Sequence, residues 1–90
     1  MTMVEAMLSE VRELAIEECG FNDPATFRVN CYKSLLAKSD DEIFDRIYQS
    51  IFFSDSERKL LPQYRRTVID TYRRAMKDEI DFLTDNDEMR

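Results

Sequence analysis

Histidine and tryptophan are absent from this chain of 90 residues, glycine occurs once and proline twice. Without histidine the chain lacks the commonest general base and metal ligand, and it has no Gly-x-Ser-x-Gly or phosphate-loop motif. The scarcity of glycine and proline leaves little turn chemistry for hairpins and sheets. We therefore expect a helical protein that is not an enzyme and that binds no cofactor.

Long apolar runs are also missing. No segment approaches the roughly 18 consecutive apolar residues of a membrane span, and the N-terminus lacks a basic region followed by an apolar block. The composition, 43% hydrophobic and 36% charged, is that of a folded helical domain rather than a disordered chain. The length suits one domain with a modest core. We expect a cytoplasmic protein that does not insert into a membrane.

Cysteine occurs only twice, as Cys19 and Cys31. Two cysteines are compatible with a disulfide, but small secreted scaffolds usually contain more of them. We expect two buried thiols that act as small hydrophobic side chains. Because two thiolates without histidine do not complete a zinc site, no metal site is predicted.

Helix signals recur along the whole chain, as apolar residues spaced three and four apart and as capping residues. They predict helices over about 3–19, 24–37 and 40–52, a short fourth helix from residue 55 that Pro62 ends, kinks or restarts, and a long fifth helix over about 63–83. The predicted fold is all-α, a compact bundle of about five helices with a long C-terminal helix. We expect residues 1–83 to form the domain and residues 84–90 to be an acidic, frayed tail.

Charge is strongly segregated in a stretch that we call the basic segment (residues 58–77). It carries seven of the thirteen basic residues and a single acid, whereas the chain as a whole has a net charge of −6. The segment is either a solvated face balanced by the chain's own acids or a surface for an acidic partner. Nucleic acid is the least favoured partner, because the surrounding acids oppose counterion release. The candidate binding residues on this basic face are Arg65, Arg66, Arg73, Arg74 and Lys77.

Aromatic residues are concentrated in the third predicted helix, where Phe44, Tyr48, Phe52 and Phe53 fall within ten residues. Core packing accounts for most of these rings. A domain of this size has a limited interior, however, and surplus aromatics commonly mark a dimer or partner surface. These four residues are therefore a candidate aromatic binding face, and we expect a homodimer.

One stretch resembles a known family. Residues 66–72 (RTVIDTY) are similar to a Lys-Thr-Leu-Ile-Asp-Glu-Phe run, residues 82–83 to an aromatic–leucine pair, and residues 28–30 (RVN) to an Arg-Ala-Asn stretch. All three patterns are those of the small helical anti-sigma factor of T4-like phages (the AsiA type). Residues 44–83 as a whole resemble the C-terminal half of that protein. The resemblance implies a homodimer, formed through the N-terminal helices, that opens to bind a sigma-factor domain. The basic segment departs from that family's pattern.

These observations favour a non-enzymatic helical protein–protein interaction module. Its most concrete form is a phage or mobile-element regulator that inhibits a host protein, such as a sigma factor or RNA polymerase, by occupying its surface. Affinity would come from an apolar helical face, and charge would set register and association rate. Two alternatives remain open: a helix-turn-helix nucleic-acid-binding protein that uses residues 55–77, with its turn at Pro62–Gln63, and a self-assembling structural subunit.

Overall fold

The computed structural model describes residues 2–20 and 23–88, which form helices joined by short loops and, within those ranges, no strand. The elements are α1 (Met3–Glu17), α2 (Ala25–Leu36), α3 (Asp40–Tyr48), α4 (Asp55–Leu60), a 3-10 turn (Leu61–Tyr64) and α5 (Arg65–Glu88). The all-α fold with a long C-terminal helix is confirmed. The predicted number of about five helices is too high: α4, the 3-10 turn and α5 follow one another without a break, so the described chain has four separate helical segments. Pro62 sits at the start of the 3-10 turn, where its missing N–H is tolerated.

Three of these segments begin at the hydroxyl residue that the sequence predicts, namely Thr2, Ser39 and Ser54. Each hydroxyl accepts a hydrogen bond of 3.1–3.2 Å from the backbone N–H three residues later, which satisfies a donor left free by the first helical turn. Helix α2 differs, because it begins after Pro24 without any side-chain cap. Asp23, which precedes Pro24 and is of a residue type that commonly caps a helix, makes no capping hydrogen bond among the described residues.

Helix α5 is the central element of the domain, since α1, α2 and α3 all pack against it. Its apolar side chains recur every three or four residues and so form one buried stripe. The buried residues of α5 are Val68, Ile69, Tyr72, Ala75, Met76 and Leu83, and those of α1 are Met7, Val11, Leu14 and Ala15. Burying a side chain of this kind contributes roughly 1.5–3 kcal/mol. The helices are therefore held together mainly through α5.

Cys19 and Cys31 form a disulfide between the residues that follow α1 and the middle of α2. The prediction of two free thiols is wrong. Packing of α1 and α2 on α5 brings the two Cα atoms to 6.0 Å, which lies within the range that a disulfide spans. A second link joins the same two helices, because the Tyr32 hydroxyl donates a 2.7 Å hydrogen bond to the Ile16 carbonyl.

Two further observations concern the ends and the exterior of the fold. Helix α5 runs to Glu88, beyond the end predicted near Leu83, while residues 89 and 90 of the predicted tail lie outside the described residues. Within residues 2–20 and 23–88, none of the helices combines the length and the hydropathy that crossing a bilayer requires.

Candidate partner-binding surface

Part of the basic segment faces the acidic N-terminal turn of α3. Arg65 pairs with Asp41, and its guanidinium also lies 5.4 Å from the centre of the Phe44 ring. Arg66 contacts Asp40 at 3.2 Å. The cations of α5 thus meet carboxylates that are placed favourably at the start of a helix. Part of the predicted basic face is therefore neutralised inside the protein.

Arg73 is a structural residue rather than a free surface cation. Its guanidinium donates hydrogen bonds to the carbonyl oxygens of Leu36 (2.9 Å) and Lys38 (3.1 Å) and to the Asp40 carboxylate (2.7 Å). The hydrogen bond from Arg73 holds the pKa of the Asp40 carboxyl below its usual value, and the charge of Arg66 acts in the same direction. Arg73 thereby joins the C-terminal end of α2 to the start of α3.

Arg74 and Lys77 are the exposed remainder of the basic face, and among the described residues neither forms an ion pair. The groove beside them has a volume of about 660 Å³. Its lining carries equal numbers of acids and bases: Asp70, Asp78, Asp81, Arg73, Arg74 and Lys77. The charge segregation seen along the sequence is thus evened out at the surface of α5.

The helix-turn-helix hypothesis requires a turn at Pro62–Gln63. These two residues instead lie in the 3-10 turn, which continues directly from α4 into α5. The residues on either side of the turn, Leu60 and Arg65, also have right-handed helical backbone angles. The segment therefore lacks the non-helical turn by which two helices of that motif cross.

The four aromatic residues of the predicted binding face separate into three groups. Phe53 is only 5% exposed and belongs to the core, so it does not form part of a binding surface. Phe44 is half-buried, with its ring centre 6.1 Å from that of Tyr48. Tyr48 and Phe52 are exposed, at 39% and 37%. Two of the four predicted residues thus remain available to a partner.

Ile51 is the residue that sequence reasoning missed. It lies in the α3–α4 loop (residues 49–54) and is 98% exposed, although a continued helix would place it on the buried arc with Ile47. Helix α3 ends at Tyr48, so the helical spacing no longer applies. The available signal was Ser50, whose hydroxyl accepts a 3.1 Å hydrogen bond from the Phe52 N–H in a local serine turn.

The α3–α4 loop is fixed from both sides. Arg58 of α4 donates hydrogen bonds to the carbonyl oxygens of Ser50 (2.5 Å) and Phe53 (3.4 Å). Its guanidinium also lies 6.0 Å from the centre of the Tyr48 ring. The buried Phe53 anchors the same loop in the core. We define the exposed residues that this arrangement presents, Tyr48, Ile51 and Phe52, as the apolar surface.

A polar groove of about 590 Å³ lies between α1 and α3 and reaches the apolar surface at Ile51. Inside it, Arg46 pairs with Glu18. The hydroxyl of Tyr72 lies next to this ion pair, and burial raises the pKa of Tyr72 well above the usual range. In the described residues no group of three or more cysteines and carboxylates is arranged to hold a metal ion.

The fold and this surface define a small helical protein with an exposed, structurally supported apolar surface. Comparison with known protein families, with curated proteins and with solved structures gives no match.

Proposed function

We propose that this protein is a non-enzymatic protein–protein interaction module that binds its partner through the apolar surface Tyr48, Ile51 and Phe52. The observation that carries the proposal is the 98% exposure of Ile51, which lies between the exposed residues Tyr48 and Phe52 in the sequence. Large apolar side chains grouped on a surface mark interaction sites more often than single exposed ones do.

Pre-organisation of the loop supports this proposal. Binding through a flexible loop loses free energy, because side chains and backbone have to be ordered when the complex forms. In the α3–α4 loop, the hydrogen bonds of Arg58 and the burial of Phe53 impose that order in the free protein. An exposed aliphatic side chain on an ordered loop, with exposed aromatic residues close to it in the sequence, suits insertion into an apolar pocket on a partner.

The finer version of the proposal is a phage or mobile-element regulator that inhibits a host protein in the cytoplasm. It rests on the resemblance of residues 44–83 to the phage anti-sigma factors, which makes a sigma factor or RNA polymerase the first partner to test. The resemblance also implies a homodimer, so self-association belongs to the proposal. A self-assembling structural subunit would use the same apolar surface with itself as the only partner.

Replacing Ile51 with Asp should leave the fold intact and weaken binding. Because the side chain is 98% exposed, we expect the free energy of unfolding to change by less than about 0.5 kcal/mol. A charge in the centre of an apolar contact should lower affinity roughly 30-fold or more, which corresponds to about 2 kcal/mol. Affinity for purified RNA polymerase holoenzyme and self-association in sedimentation equilibrium at micromolar concentration are the two readouts.

The matched control is Phe82→Asp, which places the same charge on an exposed aromatic position (59% exposed) of α5 outside the apolar surface. This control should bind and self-associate like the wild type. Equal loss in both variants would point to a general effect of charge. Undiminished binding and self-association of Ile51→Asp would show that the apolar surface is not the interface. A wild-type protein that is monomeric and does not bind the polymerase would exclude both proposed partners.

A further inference from the structure

Glu10 of α1 is an unusual residue, because it places a carboxyl group against α4 while no cation of the described residues acts on it. Its Oε2 atom is buried and has no hydrogen-bond partner among the described residues. The carboxylate of Glu57 lies within hydrogen-bonding reach. Two ionised carboxylates can only accept hydrogen bonds, so neither can satisfy the other. A proton on Glu10 supplies the missing donor.

Glu57 has a second role at this position. It accepts hydrogen bonds of 3.0 Å from both the backbone N–H and the hydroxyl of Ser54, and its own N–H donates to that hydroxyl at 3.2 Å. This reciprocal cap fixes the first turn of α4, directly after the α3–α4 loop. The next residue, Arg58, holds the loop itself. The contact between Glu10 and Glu57 thus links α1 to the support of the apolar surface.

The electrostatic environment of Glu10 favours the protonated form. Burial, followed by the hydrogen bond and the charge of Glu57 and then by the charge of Glu13, raises the pKa of Glu10 to about 7. The hydrogen bond with Glu10 and those with Ser54 lower the pKa of Glu57. In the described structure the ionisable groups that act on Glu10 are Glu13 on its own helix and Glu57 from α4, and none comes from α5.

We propose that Glu10 and Glu57 share one proton that ties α1 to the first turn of α4, and that loss of this proton as pH rises through neutrality loosens the α3–α4 loop. The proton tie is a property of the free protein. Only its consequence, regulation of partner binding by pH, rests on the proposed function. Because the folded protein binds this proton more tightly than the unfolded chain, its stabilising effect is complete below the ordinary Glu pKa and is lost as pH rises through about 7. The lowered pKa of Glu57 affects stability only at more acidic pH.

The test uses the whole protein without a partner. Carbon-13 NMR of the side-chain carboxyls should give Glu10 a titration midpoint near 7, and Glu57→Gln should move that midpoint back towards the ordinary Glu range, because it removes the neighbouring charge. Protection of the amides of residues 50–57 from hydrogen exchange should fall about tenfold between pH 6 and pH 8, after correction for intrinsic exchange rates.

Glu10→Gln keeps a neutral, hydrogen-bonding side chain at the site. In this variant, the protection of the amides of residues 50–57 from hydrogen exchange should therefore stay within about twofold over the same pH interval. Glu17→Gln, an exposed change on the same helix, should behave like the wild type. An ordinary Glu midpoint for Glu10, or an unchanged pH dependence in Glu10→Gln, would overturn the proposal. If Glu10→Gln does not fold, the wild-type titration decides alone. The two proposals fail in different ways. If Ile51→Asp binds normally while Glu10 still titrates near 7, the proposed function is wrong and the shared proton stands.

Discussion

Reduction of the Cys19–Cys31 disulfide should lower the free energy of unfolding by about 3 kcal/mol, the largest single effect that we expect. The bond closes a loop between residues twelve positions apart, and closing a loop of this length restricts the unfolded chain by roughly that amount. In a domain of this size the loss corresponds to a fall of about 12–24 °C in the melting temperature. Urea unfolding followed by circular dichroism, with and without a dithiol reductant, measures the effect.

The double variant Cys19→Ser, Cys31→Ser provides the control. Its stability should match that of the reduced wild type, and it should not respond to the reductant. A wild type whose urea midpoint is unaffected by complete reduction would show that helix packing on α5 alone sets the stability. Alkylation of the protein from its own cells, before any reduction, would report which redox state the compartment maintains, since disulfides persist in oxidising compartments and are rare in the cytosol.

Replacing Arg73 with Gln should destabilise the fold by about 2 kcal/mol, the second of the large effects. The substitution removes charge-assisted hydrogen bonds to the carbonyl oxygens of Leu36 and Lys38, which lie at and beyond the C-terminal end of α2. It should also raise the pKa of Asp40 towards its ordinary value, because the main cause of the lowered pKa is lost. Urea unfolding and carboxyl NMR measure the two consequences independently.

The matched control is Lys77→Gln, an exposed position one helical turn further along α5 that forms no ion pair with the described residues. It should change the free energy of unfolding by less than about 0.5 kcal/mol. Arg73→Lys keeps the charge but not the planar guanidinium. Its free energy of unfolding should therefore lie between those of Arg73→Gln and Lys77→Gln. Equal stabilities for Arg73→Gln and Lys77→Gln would mean that the α2–α3 connection does not depend on Arg73.

The basic segment illustrates how far charge along a sequence can be interpreted. Five residues were candidates for one binding face, and the structure divides them according to where acids lie. Arg65, Arg66 and Arg73 are used within the fold, while Arg74 and Lys77 share their groove with carboxylates. The linear charge pattern could not show this, because the balancing acids of α3 lie more than twenty residues earlier in the chain.

The candidate binding surface was predicted only in part. Of the aromatic candidates, Tyr48 and Phe52 are exposed and Phe53 is buried, while Ile51 is the most exposed of the large hydrophobic residues described. The error follows from the end of α3. A helix that stops at Tyr48 turns the next residues off the helical spacing, and Arg58 holds the loop that follows.

The sequence by itself determined the all-α class, the starts of three helical segments and the buried stripe of α5. These features depend on neighbours within four residues, such as a hydroxyl and the N–H three residues later, or on apolar spacing along one helix. Only the tertiary structure decided the disulfide, the structural role of Arg73 and the exposure of Ile51. The two cysteines are 12 residues apart and Arg73 is up to 37 residues from its hydrogen-bond partners, so these contacts depend on how the helices pack against one another.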